Sequence, residues 1–445
     1  MYKYNDIIND LEFELAGNGY REGDKIPSIR ELASRYDCSK STVIRALEEL
    51  EEKHLVYAAP KSGYYVMKRS GKREEGDHWI DFTISAPDPD IFPYLDFQHC
   101  INKAIDMYRN DLFIYGTPQG LPSLIREMQR QLASYQVFAD MKQIFITSGV
   151  QQALSLLAQL PFPNGQSGIL IEQPGYHLLM EYLKVYGIEA QGIRRTTAGI
   201  DLEELERIFK TGEIKWFYTV PRFQNPLGVS LDRKQKQAIA ALAAKYDVYI
   251  VEDDYMADLE QDAKEDPIYA YDRTGHVIYL KSYSKIIFPG LRIGVAVLPE
   301  ALRESFLQFK RVLDIDSSML SQAALELYLK SGMFERHRKK MRSCYGRRSN
   351  LLHECVVKFR DAGPERPFAY HPPSQLGIHT YLELGPGVNV TQLIKRLAKK
   401  RIRIETAEAC YLPHFARDNI LRLTASSVKE PDIKSGIEQV IAEIK

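Results

Sequence analysis

Near the start of the chain apolar residues recur at helical spacing; from about residue 140 they come instead in short continuous runs. Ile8, Leu11 and Leu15 predict a first amphipathic helix. Gly23-Asp24 breaks it. Pro27-Ser28 stands where a second helix starts, with Ser28 as its cap and Glu31 three positions on, as in a capping box. Ile29, Leu32, Ala33 and Tyr36 supply that helix's apolar face. A tight turn through Asp37-Cys38 leads to Ser39, a second cap, and to a helix with Val43, Leu47 and Leu50 inward. Two short helices joined by about four residues match a helix-turn-helix. Leu55-Val56-Tyr57 and the run from Pro60 to Val66 then read as a two-stranded wing, with Lys61 and Gly63 near its tip.

The later runs, at 144–147, 169–172, 216–220, 248–251, 277–280 and 293–297, alternate with helical patterns at 178–186, 202–209 and 236–246. Such alternation predicts a mostly parallel sheet covered on both faces, with ligands gathering beyond the carboxyl ends of its strands. Further strands are expected at 378–384, 401–405 and 420–423, beside helices at 390–400 and 433–444. The expected organisation is a winged helix over 1–68, a linker over 69–79 and an α/β region over 80–445. Within that region a large domain spans about 111–325, and a small α+β domain takes about 80–110 and 326–445.

Composition narrows the class. At 445 residues, 44% hydrophobic and 27% charged, the chain has the make-up of a soluble protein with more than one domain. No apolar run approaches the roughly 18 residues needed to span a membrane, and the first residues lack the apolar core of a secretory signal. Cys38, Cys100, Cys344, Cys355 and Cys410 show no paired or metal-like spacing, so a reducing cytoplasm is expected. Lys+Arg and Asp+Glu both total 59. Affinity for DNA must therefore come from local placement of charge. The basic run Lys339, Lys340, Arg342, Arg347 and Arg348 is expected on a solvated helix face.

On the second helix of the helix-turn-helix, Lys40, Ser41, Ile44 and Arg45 face away from the core positions and are candidates to enter a major groove. Ser39 and Thr42 can meet phosphates near the helix start. In the large region, Lys281-Ser282-Tyr283-Ser284-Lys285 follows a strand, with Pro289-Gly290-Leu291-Arg292 after it. A lysine between hydroxyls and an arginine is the arrangement expected for a Schiff base to pyridoxal phosphate. Asp253 can hold the pyridine nitrogen protonated, which makes the ring an electron sink. Asn225 and Tyr255 can donate to the ring hydroxyl and lower the imine pKa. Ser282, Ser284 and Arg292, with the amides of Gly149, Val150 and Gln151 at a helix start, suit the phosphate. Tyr176 can stack on the ring. Each motif is ordinary alone; falling after successive strands is what joins them.

The first 66 residues, through Ile26-Pro27-Ser28-Ile29-Arg30-Glu31-Leu32-Ala33 and Ser39-Lys40-Ser41-Thr42-Val43-Ile44-Arg45-Ala46-Leu47, resemble the GntR-type winged-helix family. That resemblance implies DNA contacts at Arg30, Lys40, Thr42, Arg45 and the wing glycine, so the candidate DNA set is Ser28, Arg30, Ser39, Lys40, Thr42, Arg45, Lys61 and Gly63. From about residue 80 the chain resembles a fold-type I aminotransferase, and the fusion resembles the MocR/GabR-type regulators. By that likeness Tyr115, in Tyr115-Gly116-Thr117-Pro118-Gln119-Gly120, reaches the cofactor phosphate of a partner subunit in a homodimer. Arg422, in Leu421-Arg422-Leu423-Thr424, grips the effector carboxylate. Leu227 stands where that family commonly has threonine, and Val150 where it often has serine; neither removes a cofactor contact made by backbone.

The expectation is a regulator that binds double-stranded operator DNA, holds pyridoxal 5'-phosphate on Lys285, and senses an amino-acid-like effector through an external aldimine. A pyridoxal-phosphate-dependent aminotransferase, a regulator that senses the cofactor itself, and an inert dimerisation body are the alternatives.

Overall fold

Ser28 and Ser39 each start a helix, because each hydroxyl accepts a backbone amide that the helix leaves free. Ser28 Oγ accepts from Glu31 N at 3.3 Å while Glu31 Oε2 accepts from Ser28 N at 2.7 Å; Ser39 Oγ accepts from Thr42 N at 3.2 Å. The computed structural model describes residues 3–16, 20, 23–53, 55–59, 62–67, 78–260, 265–360, 367–373, 375 and 377–444. Lys61, and the expected linker apart from its last two residues, lie outside the described residues. The chain divides into two compact units, Met1–His78 and Trp79–Lys445.

In the first unit, helices Lys3–Ala16, Ile29–Arg35 and Lys40–Glu52 precede a hairpin of Val56–Ala59 and Gly63–Val66, paired antiparallel from Val56↔Val66 to Ala59↔Gly63. Asp37 takes the left-handed conformation that turns the chain between the second and third helices. Leu11, Leu32, Val43, Leu47 and Leu50 are fully buried in one core with Val56. Ile29, Ala33 and Tyr36, expected inward, are only partly buried at its edge.

The second unit is built on an eight-stranded sheet. Its spatial order is Ile144–Thr147, Gly294–Val297, Val277–Ser282, Tyr249–Asp253, Ile214–Thr219, Gly168–Gln173, Ala190–Thr196 and Gly199–Ile200. Five neighbours, from Val277–Ser282 to Ala190–Thr196, are parallel. Gly294–Val297 is antiparallel to both its neighbours, which leaves Ile144–Thr147 aligned with the parallel set. The period of two sorts side chains to opposite faces. Trp216, Tyr218, Tyr249, Val251, Ile278 and Leu280 face one core, whereas Leu170, Phe217 and Ile250 face another beneath helices Leu202–Lys210 and Arg233–Tyr246. The edge strands Ala190–Thr196 and Gly199–Ile200 were not expected; alternating Gln, Gly and Arg there break the apolar run that marks the inner strands.

A four-stranded antiparallel sheet orders Phe368–Ala369, His379–Leu384, Ile420–Thr424 and Glu405–Thr406. The single strand expected at 401–405 is two. Ile402–Arg403 pairs in parallel with Ile80–Asp81, while Glu405–Thr406 joins Ile420–Thr424, so the chain changes partners at Ile404. Phe82 joins this smaller core, and helix Tyr94–Tyr108 instead buries Phe97, Cys100 and Ala104 in a core of the large sheet. In the basic run Lys339, Lys340 and Arg347 are exposed, as expected, and only Arg342 and Arg348 depart from the solvated face. On helix Met333–Arg360, Arg348 is buried against Asp88 at 2.6 Å and also donates to Ser426 O, and Arg342 donates to Asp258 O. Charge partners on distant segments draw these side chains inward. Among the described residues no helix is long and apolar enough to cross a membrane.

Leu47→Ala leaves a cavity in the first unit's core and should lower its stability by about 2–5 kcal/mol. Both tryptophans, Trp79 and Trp216, belong to the second unit. Denaturation followed by circular dichroism should therefore show an early loss of helix, with the tryptophan emission transition unmoved. A loss below about 0.5 kcal/mol would contradict the packing described.

Candidate functional site

Six co-directional strands end on one edge of the large sheet, and the residues at or just after five of those ends converge. Asp253 ends its strand; Lys285 lies three residues past Ser282; Asn225 follows Thr219, Tyr176 follows Gln173 and Gly149 follows Thr147. This is the carboxyl-end crevice at which open α/β sheets take ligands.

Lys285 and Asp253 form its floor. Asp253 Oδ2 accepts from Tyr218 OH at 2.7 Å, whereas Oδ1 is buried with no hydrogen-bond partner among the described residues. Burial raises the carboxyl to about 7; the Asp254 charge adds to this, and the Tyr218 hydrogen bond and Lys285 charge oppose it. Lys285 Nζ donates to Ser85 Oγ at 2.5 Å. Burial first, then the Arg422 charge, lowers its amine to about 8 against the pull of Asp253. Tyr176 lies over Tyr218 with centroids 6.4 Å apart and planes at 27°. Burial pushes the Tyr176 phenol up to about 12.

The small sheet supplies the facing wall. Arg422, on strand Ile420–Thr424, is ion-paired with Glu405 and donates from Nη1 to Asn225 Oδ1 at 3.4 Å; its Nε is buried without a partner among the described residues. His379 Nδ1 meets Thr424 Oγ1 at 3.0 Å, and its Nε2 is likewise buried and unpartnered. Burial, with the charges of Lys285 and Arg422, holds that imidazole well below its ordinary pKa, so it is neutral at pH 7. The Tyr255 ring lies 6.5 Å from it, and its hydroxyl hydrogen goes to Phe223 O at 2.8 Å. Tyr255 was expected to donate to a ring hydroxyl; with that hydrogen spent on a carbonyl, its oxygen is left to accept.

At the other end Gly149, at φ +85°, caps helix Val150–Gln159. A Cβ there would stand 2.9 Å from Arg292 Nη2, so glycine is what lets the guanidinium lie against the turn. Arg292 Nη2 donates to Ser148 O at 2.8 Å, and Ser282 Oγ accepts from Ser284 N at 3.2 Å. Val150 is buried, and Gln151 Oε1 is buried without a partner among the described residues. Tyr115 stands apart from this group, 79% exposed. Ser85, Tyr218, Glu405 and His379 were missed. Tyr218 alone carried a signal, as the alternate residue of a recognised strand one position before its end.

In the first unit Ser28, Arg30, Ser39, Lys40 and Arg45 are exposed, and Thr42 and Gly63 half-buried. The Ser39 hydroxyl already meets Ser41 Oγ at 2.7 Å and Thr42 Oγ1 at 2.8 Å. The Arg45 guanidinium lies 5.2 Å over the Tyr4 ring, which aims it from the third helix.

Residues 3–66 match the family model for bacterial regulatory proteins of the gntR family, and residues 77–440 that for aminotransferases of class I and II. Over all 445 residues, and the whole of both chains, the protein is 54% identical to the uncharacterized HTH-type transcriptional regulator YcxD of Bacillus subtilis. Aromatic-amino-acid aminotransferase 1 of Thermococcus litoralis is 29% identical over 396 residues, 85% of this chain and 92% of that one. The crystal structure of Pyrococcus horikoshii kynurenine aminotransferase in complex with PMP aligns at a TM-score of 0.74 and 28% identity, covering 83% of this chain and 91% of that one.

The residues present fit pyridoxal phosphate. An amine depressed to about 8 is available for condensation, the orphaned Asp253 Oδ1 lacks a donor such as a protonated ring nitrogen, and the Gly149 turn with Arg292 offers amides and charge to a phosphate. At pH 7 roughly a tenth of an amine of pKa near 8 is unprotonated, far more than for an ordinary lysine. Capture of pyridoxal phosphate by the unloaded chain should therefore speed up as pH rises and level off above about 8. Stopped-flow absorbance measures this; a rate still climbing toward the ordinary lysine value of 10.5 would contradict it.

Proposed function

The chain belongs to the class I and II aminotransferase family and to the MocR/GabR-type regulators that fuse such a domain to a GntR-type winged helix, and from that premise we propose that it is a pyridoxal-phosphate-dependent transcriptional regulator answering to an amino-acid-like effector. The observation that carries this reading is the depressed amine of Lys285 beside Asp253, whose Oδ1 is buried without a partner. When bound, the cofactor would supply an aldehyde able to condense with a primary amine such as that of Lys285.

The chain's own groups do the rest. Asp253 keeps the ring nitrogen protonated, and Tyr218 steadies the carboxylate. Asn225 and Tyr255 would meet the ring hydroxyl, Tyr176 would cover the ring, and Ser282, Ser284, Arg292 and the amides of Gly149, Val150 and Gln151 would hold the phosphate. Freed Lys285 has the pKa of a proton carrier near neutrality. Arg422 orients an effector carboxylate. Tyr115, exposed here, completes the phosphate site of the partner in a homodimer. Arg30, Lys40, Thr42 and Arg45 address operator DNA with Ser28, Ser39 and the wing at Lys61 and Gly63. Effector and operator are coupled only as far as the effector binds one state of the regulator better than the other.

The 29% identity to an aromatic-amino-acid aminotransferase over most of the chain favours a second reading, an enzyme with an appended reader. Multiple-turnover release of a keto acid, with a second keto acid as acceptor, distinguishes it.

Lys285→Ala should abolish borohydride labelling of the loaded protein and any response of operator binding to amino compounds, while effector-free operator affinity changes by less than about threefold. Footprinting of the chain's own upstream DNA, with and without amino compounds, tests this; an undiminished response in the variant would refute the reading. Arg45→Ala should weaken operator binding by about 1–3 kcal/mol. Unchanged binding in a mobility-shift titration at fixed salt would remove Arg45 from the interface.

A further inference from the structure

Arg422 already has an anion. Glu405 and Arg422 are cross-strand partners in the small sheet, so backbone pairing fixes their ion pair. The Arg422 side chain is 10% exposed and that of Glu405 40%. A buried guanidinium without an anion is costly, whereas a half-exposed carboxylate can turn to water at little cost. We propose that Glu405 selects the effector: with the Glu405–Arg422 pair closed the site accepts primary amines that lack a carboxylate, and a carboxylate-bearing effector binds only by displacing Glu405.

This rests on the reading of Lys285 given above and concerns what may approach it. Around the crevice the cations Lys285 and Arg422 face the anions Asp253 and Glu405, with His379 neutral. A neutral-tailed amine leaves the Glu405–Arg422 pair intact. A carboxylate adds a third anion and must take over Arg422, whose unpartnered Nε and weak 3.4 Å contact to Asn225 leave directions open to it. Glu405 is therefore a specificity residue that acts through Arg422.

The test uses the full cofactor-loaded chain and three small probes, so that pocket size does not decide. Ethylamine and L-alanine differ only in the carboxylate, and propanoate carries the carboxylate without the amine. Absorbance titration reads the first two and calorimetry the third. Glu405→Gln and Glu405→Ala should each raise the preference for alanine over ethylamine on the order of tenfold and tighten propanoate comparably. Ethylamine binding should shift by less than about threefold. An unchanged preference and unchanged propanoate binding in both variants, with a normal cofactor spectrum, would overturn the proposal alone. A wild-type chain that never develops the absorbance of a lysine-bound cofactor would overturn the functional reading and this proposal with it.

Discussion

A lysine amine and a carboxylate taken out of water together constrain everything else in the second unit. Burial works against the charge on each: the amine falls to about 8 and the carboxyl rises to about 7. Two such groups persist only where the surroundings fix them, and here Tyr218 holds one oxygen of Asp253 while Ser85 receives the amine. The remaining oxygen has no partner among the described residues. That buried oxygen lacks a donor, and on the proposed reading a protonated heterocyclic nitrogen would supply one.

The sheet makes this arrangement repeatable. Because six strands run the same way, five of the loops at one edge deliver side chains to the same crevice, and the alternation that buries Trp216 and Tyr218 against one helical layer sends Phe217 to the other. The core and the site thus share a cause. Gly149 shows how they are joined: its positive φ of +85° makes the turn that starts the helix, and Arg292 donates to Ser148 O in that same turn.

Local signals were readable in the chain and distant ones were not. Ser28 and Ser39 act on amides three residues away, so their caps could be read directly and are met in the structure. The parallel strands announced themselves as apolar runs, and the residues after them, Asn225, Asp253 and Lys285 included, were legible as a series. Nothing in the local sequence links Lys285 to Ser85 across 200 positions, or Arg348 to Asp88 across 260; Arg348 accordingly read as solvent-facing and is buried. The strand expected at 401–405 divides because Ile80–Asp81 competes for its first half. Glu405 looked like the end of that strand, and only the register with Arg422 gives it a role.

Arg422 joins the two parts of the second unit as well as facing the crevice. Its strand belongs to the small sheet, its ion-pair partner lies on the next strand, and its hydrogen bond to Asn225 reaches a loop of the large sheet. On the proposed reading, a ligand that re-paired this guanidinium would alter a link between the sheets as it binds. The crevice presents a guanidinium at Arg422 and an amine at Lys285. A molecule engaging both groups would then disturb that link, whereas one engaging Lys285 alone would leave it in place. Under the proposal, discrimination among effectors and any conformational response would share one ion pair, Glu405–Arg422.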